Sequence, residues 1–201
     1  MCTHLRFNLK KATQAINFLA RKNHGEIDKI KVVKLIYFAD RFHLRKYGRP
    51  ITNDEYWAME WGPVNSNVKD IADMNEEFLG AMERDYASQY IESPSKNIIK
   101  SVQEVNDKVF SQTDLEALSW AWETFGHLDG FTLADLSHHY PEWEKFKDII
   151  ESETQSRVRM NYEDFFEDPG EGFEKCCDLS PEEKEDRLDI LYELNRISAY
   201  R

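Results

Sequence analysis

Apolar residues recur every three or four positions through much of this chain, a spacing that places them on one face of a helix. The first such stripe predicts a helix over about residues 9–23, and it consists of Leu9, Ala12, Ile16, Leu19 and Ala20. Similar stripes and helix-start signals predict further helices near residues 66–78, 113–125, 132–136, 141–150 and 180–198. Capping boxes are predicted at Thr113 and Glu116 and at the S-P-E-E of residues 180–183, and the last helix carries the stripe Ile190, Leu191, Leu194 and Ile197. With a central helix described next, these segments make about seven helices, so we predict a mainly α fold.

The second helix differs from the others because its middle section is apolar on nearly every side. It is predicted to cover residues 29–47, beginning after the N-cap residue Asp28 and ending at Gly48, which suits the left-handed turn that closes many helices. A helix that is apolar all round is normally buried. We therefore predict that this helix lies at the centre of the fold.

Strand patterns are fewer and shorter. Residues 55–61, EYWAMEW, alternate and are rich in aromatic residues, and residues 89–93 and 97–102 flank a Pro-Ser-Lys turn. Together they predict a small two- to three-stranded antiparallel sheet packed on the helices, making the class α+β. Alternation places Trp57, Met59 and Trp61 on one strand face. That face either packs in the core or meets a partner, since Trp and Met are enriched at interface centres.

The segment from residue 34 to residue 64 resembles the signature of the Panacea (SocA-like) antitoxin domain family. In that family a helix reading K-L-x-Y-F-A-D is followed by His, then Y-G-R-P-I-T, then a strand ending in G-P-V. A weaker resemblance extends to about residue 150. The matching residues here are Lys34, Leu35, Tyr37, Phe38, Ala39, Asp40, His43, Tyr47, Gly48, Arg49, Pro50, Ile51, Thr52, Ala58, Met59, Gly62, Pro63 and Val64.

The resemblance implies an antitoxin that silences a protein toxin by binding it, with no catalytic activity and no cofactor. One SocA-like member is thought to deliver its toxin to a protease, so a proteolytic adaptor is an alternative. A nucleic-acid-linked regulator that uses the basic N-terminal helices is another. The resemblance also implies a prokaryotic or phage protein, and it leaves homo-oligomerisation open.

Charge is distributed unevenly along the 201 residues, which carry a net charge of −12. Residues 1–50 hold 12 basic against 3 acidic side chains, whereas residues 161–186 hold 11 acidic against 2 basic ones. An acidic total disfavours nucleic acid and favours a basic protein partner, because opposite fields speed association. The sequence thus predicts a basic toxin, although acidity that serves only solubility explains the same charge.

The chain is predicted to comprise a domain at residues 1–150 and an acidic loop and C-terminal helix at residues 151–201, packed on that domain. The loop carries four aromatic residues among its carboxylates: Tyr162, Phe165, Phe166 and Phe173. They either pack back on the domain or bind a groove of the partner. Our hypothesis is that residues 161–201 supply specificity, while residues 34–64 supply the platform.

Some polar residues could carry chemistry. Asp40 and His43 share a helix face, which suits either a general base or a structural hydrogen bond between them. Lys34, Arg41 and Arg45, together with Lys31, could form a strip for phosphates. They could equally lie on a solvated face or pair with the chain's own acids.

Metal and membrane sites are not predicted. The adjacent His138 and His139 point in different directions on a helix, and no further ligand completes a metal site. The cysteines Cys2, Cys176 and Cys177 are predicted to be reduced thiols. No apolar run is long enough to span a membrane and no secretory signal is recognisable, so we expect a cytoplasmic protein.

Overall fold

The computed structural model describes residues 5–199, and within this range the mainly α prediction is confirmed. Nine α-helices lie in this range: α1 Leu9–Lys22, α2 Lys29–Tyr47, α3 Ser66–Asp73, α4 Ala81–Ser88, α5 Gln112–Phe125, α6 Gly130–Ser137, α7 Pro141–Glu144, α8 Lys147–Glu151 and α9 Pro181–Ala199. Two 3-10 helices lie at Asp107–Val109 and Tyr162–Phe166. None of these helices combines the length and apolar character needed to cross a lipid bilayer.

Short strands form two antiparallel sheets of three strands each in the described residues. The strands are β1 Glu26–Asp28, β2 Tyr56–Met59, β3 Gly62–Asn65, β4 Ile91–Glu92, β5 Ile98–Ser101 and β6 Arg157–Arg159. One sheet has the order β1-β5-β4, which confirms the predicted hairpin, and the other has the order β3-β2-β6. The strand at residues 56–59 therefore does not join the hairpin but pairs with its own neighbour β3 and with β6.

The central position of α2 is confirmed. Its first turn is capped by Asp28, whose side chain accepts a hydrogen bond from the Lys31 amide, and it ends at Gly48 in the left-handed conformation. Every residue from 32 to 45 is buried. The helix packs against α1, α3, α5 and α6, so it acts as the strut around which the other elements assemble.

Aromatic rings fill the core beside α2. Tyr37 contacts the rings of Phe38, Tyr56, Tyr140 and Phe165, with ring centroids 4.9–6.2 Å apart. The contacts with Tyr56, Tyr140 and Phe165 are edge to face, and such pairs add about 0.5–1.5 kcal/mol each beyond area burial. The core thus joins α2 to β2 and to the 3-10 helix at Tyr162–Phe166, far along the chain.

Some local features differ from those predicted. The capping box of α5 is formed by Ser111 and Asp114 rather than by Thr113 and Glu116, so the helix begins at Gln112. Both pairs satisfy the same spacing rule, and sequence alone does not choose between them. The helix predicted over residues 141–150 is two short helices, α7 and α8.

The C-terminal helix α9 begins at the predicted capping box, in which Ser180 and Glu183 exchange hydrogen bonds. Its predicted apolar stripe is only partly covered. Leu191 is fully buried, whereas Ile190 and Ile197 remain 38% and 49% exposed. This helix therefore contributes less to the core than its length suggests.

Candidate binding groove and the helix that supports it

Asp40 fixes the chain that follows α2. Its carboxylate accepts hydrogen bonds from the Ile51 amide at 2.6 Å, from the Thr52 hydroxyl at 2.6 Å and from the Tyr56 hydroxyl at 2.8 Å. Asp40 is fully buried, and each of these groups donates a hydrogen bond to its carboxylate. Asp40 therefore holds the turn and the start of β2 against α2, and it makes none of the expected hydrogen bonds to His43.

His43 is also fully buried and has a partner at each ring nitrogen. Nδ1 lies 2.6 Å from the Arg49 carbonyl, which can only accept, so Nδ1 carries the proton. Nε2 then accepts from the Thr113 hydroxyl at 3.0 Å. Burial lowers the pKa of His43 to about 4, which keeps the ring neutral. The predicted Asp40–His43 hydrogen bond is thus wrong, since each side chain has separate structural partners.

This histidine predicts a loss of stability in acid. Below pH 6.5 the unfolded chain takes up a proton at His43 that the folded chain refuses until about pH 4. The free energy of unfolding therefore falls with decreasing pH in that window, by at most about 1.4 kcal/mol per pH unit from this group. Urea unfolding of the wild type and His43→Asn between pH 4 and pH 8 measures it. If the wild type exceeds His43→Asn in free energy of unfolding by an amount that does not shrink below pH 6.5, His43 is not held neutral in the folded protein.

Lys34 joins α2 to the β2–β3 hairpin. Its ammonium is buried and donates to the Pro63 carbonyl at 2.8 Å, and burial lowers its pKa to about 7. The adjacent Gly62 has φ +85°, and a Cβ there would lie 2.3 Å from Ser137 Oγ and 2.7 Å from Lys34 Nζ. Only glycine permits this close approach of hairpin, α2 and α6.

We expect Gly62→Ala to destabilise the protein more than Gly25→Ala does. Both glycines have positive φ, but nothing lies within 4 Å of a Cβ at Gly25. Backbone strain alone costs about 1–2 kcal/mol, and overpacking at Gly62 adds about 1–3 kcal/mol. Chemical denaturation of both variants measures the difference. Equal losses would show that the contact with Ser137 and Lys34 is unimportant.

The strip of cations proposed on α2 is buried and internally paired. Arg41 forms an ion pair with Glu142, at 2.5 Å, in which neither side chain is exposed. Arg45 donates to the carbonyl oxygens of Phe166 at 2.8 Å and Cys177 at 2.8 Å. These cations therefore anchor the chain's own later segments, and their burial contradicts their use as a phosphate-binding surface.

The aromatic residues of the acidic loop are largely part of the core. Tyr162, Phe165 and Phe166 are 4%, 0% and 2% exposed, which corrects their assignment as partner contacts in this conformation. They are buried because β6 pairs with β2 and because Arg45 binds the backbone that follows them. Phe173 is half-buried and stacks on His139 at 4.2 Å.

The aromatic face of β2 is turned outward rather than into the core. Tyr56 and Ala58 are buried, whereas Trp57 and Met59 are half-exposed and Trp61 is 53% exposed. The Arg157 guanidinium covers the Trp57 ring at 4.7 Å. Alternation was predicted correctly, but the inward face is the one that carries Tyr56, whose ring packs against Tyr37 and Phe165 in the aromatic core.

A groove opens beside this face. Trp61 and Phe131, which is 59% exposed, meet edge to face at 5.7 Å. The groove has a volume of about 470 Å³, and its apolar lining consists of Ile30, Val33, Met59, Trp61, Val64, Ala72 and Phe131. Its polar lining consists of Lys29, Lys69, Asp73, Lys96 and Asn97. Elements from four regions of the chain therefore meet in one concave apolar surface.

Sequence reasoning singled out Trp61 and Met59 but missed Phe131 and the lysines. Residues 29–33, 59–73, 96–97 and 131 are brought together only by the fold, and no short motif links them. The sequence signal that could have found Phe131 is its position two residues before Leu133, which places the two side chains on different faces of α6. Leu133 is buried, and Phe131 is exposed.

Metal ligands are not grouped within residues 5–199, where no set of three or more histidine, cysteine or carboxylate side chains is arranged to hold an ion. Cys176 and Cys177 are free thiols, and burial raises the pKa of Cys176 to about 12. Cys2 lies outside the described residues. His138 stacks on the Trp143 ring at 4.0 Å, in a contact that needs no metal.

The buried helix α2 holds the β2–β3 hairpin in place, and an exposed aromatic groove lies beside that hairpin. The family model for the SocA-like antitoxin, Panacea domain, matches residues 32–144. This match covers more than half of the chain, and the chain belongs to that family. Comparison with curated proteins and with solved structures gave no match.

Proposed function

We propose that this protein is the antitoxin of a toxin–antitoxin pair and neutralises a protein toxin by binding it directly. The observation that carries the proposal is the family match over residues 32–144. The groove at Trp61 and Phe131 supports it, because exposed aromatic residues in a concave apolar surface are typical of interface centres. We assign toxin contact to this groove rather than to the buried aromatic residues of the acidic loop.

The signature residues act as scaffold in this account. Lys34, Asp40 and His43 each hold a part of the chain between residues 49 and 63, and this segment leads into the hairpin beside the groove. Rigid support lowers the ordering cost of binding. The exposed carboxylates of residues 167–186 supply a negative field that would steer a basic toxin toward the molecule.

Co-expression with the product of the adjacent reading frame tests the proposal. If that product arrests growth, the full chain is expected to restore growth and to co-purify with it. Immunoblotting of the toxin separates the two mechanisms, since occlusion leaves its level unchanged and delivery to a protease lowers it. The proposal would be contradicted if the adjacent product arrests growth and the chain neither restores growth nor forms a complex with that product.

Trp61→Ala is expected to weaken the toxin complex by about 2 kcal/mol or more, roughly 30-fold, as truncation of a central aromatic residue does. The matched control is Phe78→Ala, because Phe78 is 69% exposed but does not line the groove. The measurement is the dissociation constant of each variant, with the melting temperature recorded in parallel. Equal losses for both variants would remove the groove from the interface.

A further inference from the structure

The charges around the groove differ in sign from those of the whole molecule. Three lysines and one aspartate line it, whereas the chain carries a net charge of −12. Lys29 and Lys69 share Asp73, at 3.1 Å and 2.8 Å, which leaves excess positive charge at this rim. Lys96 projects from the exposed β4–β5 turn on another part of the rim. The groove is therefore a local basic site on an acidic protein.

The floor selects for an apolar group of limited size. Val33 and Ala72, which are buried, and the half-buried Val64 line the floor of the groove, and Trp61 and Phe131 are its exposed rings. The volume of about 470 Å³ is within the range of pockets that enclose small ligands. A flat protein surface would not reach this floor. A short segment that projects one or two large apolar side chains would reach it and would cover both exposed rings.

We propose that the groove binds an acidic segment of the toxin, in which carboxylates flank a large apolar side chain. This inference rests on the proposed function and adds the chemistry of the contact. The apolar side chain would fill the space between Trp61 and the floor, and the carboxylates would meet Lys29, Lys69 and Lys96. A toxin that is basic overall can carry such a segment, because the field of the whole molecule and the local contact act at different distances.

Single-stranded nucleic acid is the competing occupant, since lysines beside exposed aromatic rings also suit stacked bases. The net charge of −12 opposes it, because a polyanion would be repelled by the rest of the surface. A peptide of a few residues with two or three carboxylates meets much less of that repulsion. The local basic rim and the acidic remainder together favour the peptide.

The test is a selection of random peptides displayed on phage against the purified full-length chain, with Trp61→Ala as the counter-selected variant. Peptides that require Trp61 are expected to be enriched in Asp and Glu around Trp, Phe or Leu. Lys96→Glu should weaken their binding about tenfold, since it replaces attraction with repulsion at the rim. Lys108→Glu is the control, because Lys108 is exposed but does not line the groove.

Basic or uncharged consensus peptides, an absence of Trp61-dependent peptides, or equal effects of the two lysine reversals would each overturn the inference. Displacement of the selected peptides by a single-stranded RNA oligonucleotide at moderate salt would overturn it in favour of nucleic acid. Growth rescue does not use these peptides. If the chain restores growth but the peptide selection fails, the acidic segment is rejected and the antitoxin function is retained. If the selection succeeds but the chain does not restore growth, the antitoxin function is rejected.

Discussion

A chain that ends at residue 150 is expected not to fold. The truncation removes β6 from its sheet and removes six buried apolar side chains: Met160, Tyr162, Phe165, Phe166, Cys176 and Leu191. Deleting one buried phenylalanine side chain typically costs about 3–5 kcal/mol, so the sum reaches the roughly 5–15 kcal/mol that stabilise a whole domain. Arg41 and Arg45 would also lose the carbonyl groups that they bind.

Circular dichroism and urea unfolding of the purified fragment measure this effect. The control is a chain that ends at residue 179, which lacks only α9 and its single fully buried apolar residue, Leu191. That chain should still unfold cooperatively, with a loss of about 2–5 kcal/mol. A fragment 1–150 as stable as the full chain would show that the later segment is dispensable. If the fragment is unfolded, its failure to bind the toxin follows from the loss of structure and does not assign specificity to residues 161–201.

Glu142→Ala is the point substitution with the largest expected effect. Glu142 accepts hydrogen bonds from Arg41 through both oxygens, at 2.6 Å and 2.5 Å, and from the Tyr37 hydroxyl at 2.6 Å. Removing one partner of a buried ion pair leaves an unpaired charge and costs about 3–5 kcal/mol. Burial opposes the charged form of Arg41, yet the nearby Glu142 carboxylate raises its pKa overall, so the guanidinium stays charged.

The exposed pair of Lys46 and Glu116 is the matched control, since both side chains are about 40% exposed. Glu116→Ala should cost about 1 kcal/mol or less. The double variant Arg41→Met with Glu142→Met should be more stable than Glu142→Ala, because it buries no unpaired charge. Denaturation midpoints of the three variants decide the matter. If Glu142→Ala and Glu116→Ala lower the free energy of unfolding by a similar small amount, the buried ion pair does not stabilise the packing of α2 against α7.

Local sequence rules predicted α2 well because the residues directly before and after it determine both of its ends. Asp28 and Gly48 provide the cap and the left-handed turn, and apolar residues on every side require burial. The capping box of α9 was likewise visible. In each case the determining residues lie within a few positions of the element.

Features that depend on distant partners were not visible. Alternation in β2 groups Trp57 with Met59 but does not say which face is inside, and the aromatic core around Tyr37 decides that question. The segment of β6 has only three residues, too few to show a period, and its pairing partner lies about 100 positions earlier. Burial of Phe165 depends in the same way on contacts with α2.

The candidate site shows the same limit. The signature from Lys34 to Val64 identifies the family, yet its polar members serve the scaffold, and the proposed contact residues lie beside it. Trp61 was visible as an aromatic residue on a strand face. Phe131 and the three lysines join it only because α2, α3, α6 and the β4–β5 turn converge.

Isothermal titration calorimetry of the purified chain with the purified product of the adjacent reading frame tests the central claim most directly. The account predicts saturable binding by the wild type, binding about 30-fold weaker for Trp61→Ala, and unchanged binding for Phe78→Ala. Growth rescue by a chain that forms no complex with the toxin would contradict it, since protection would then come from something other than the presented surface.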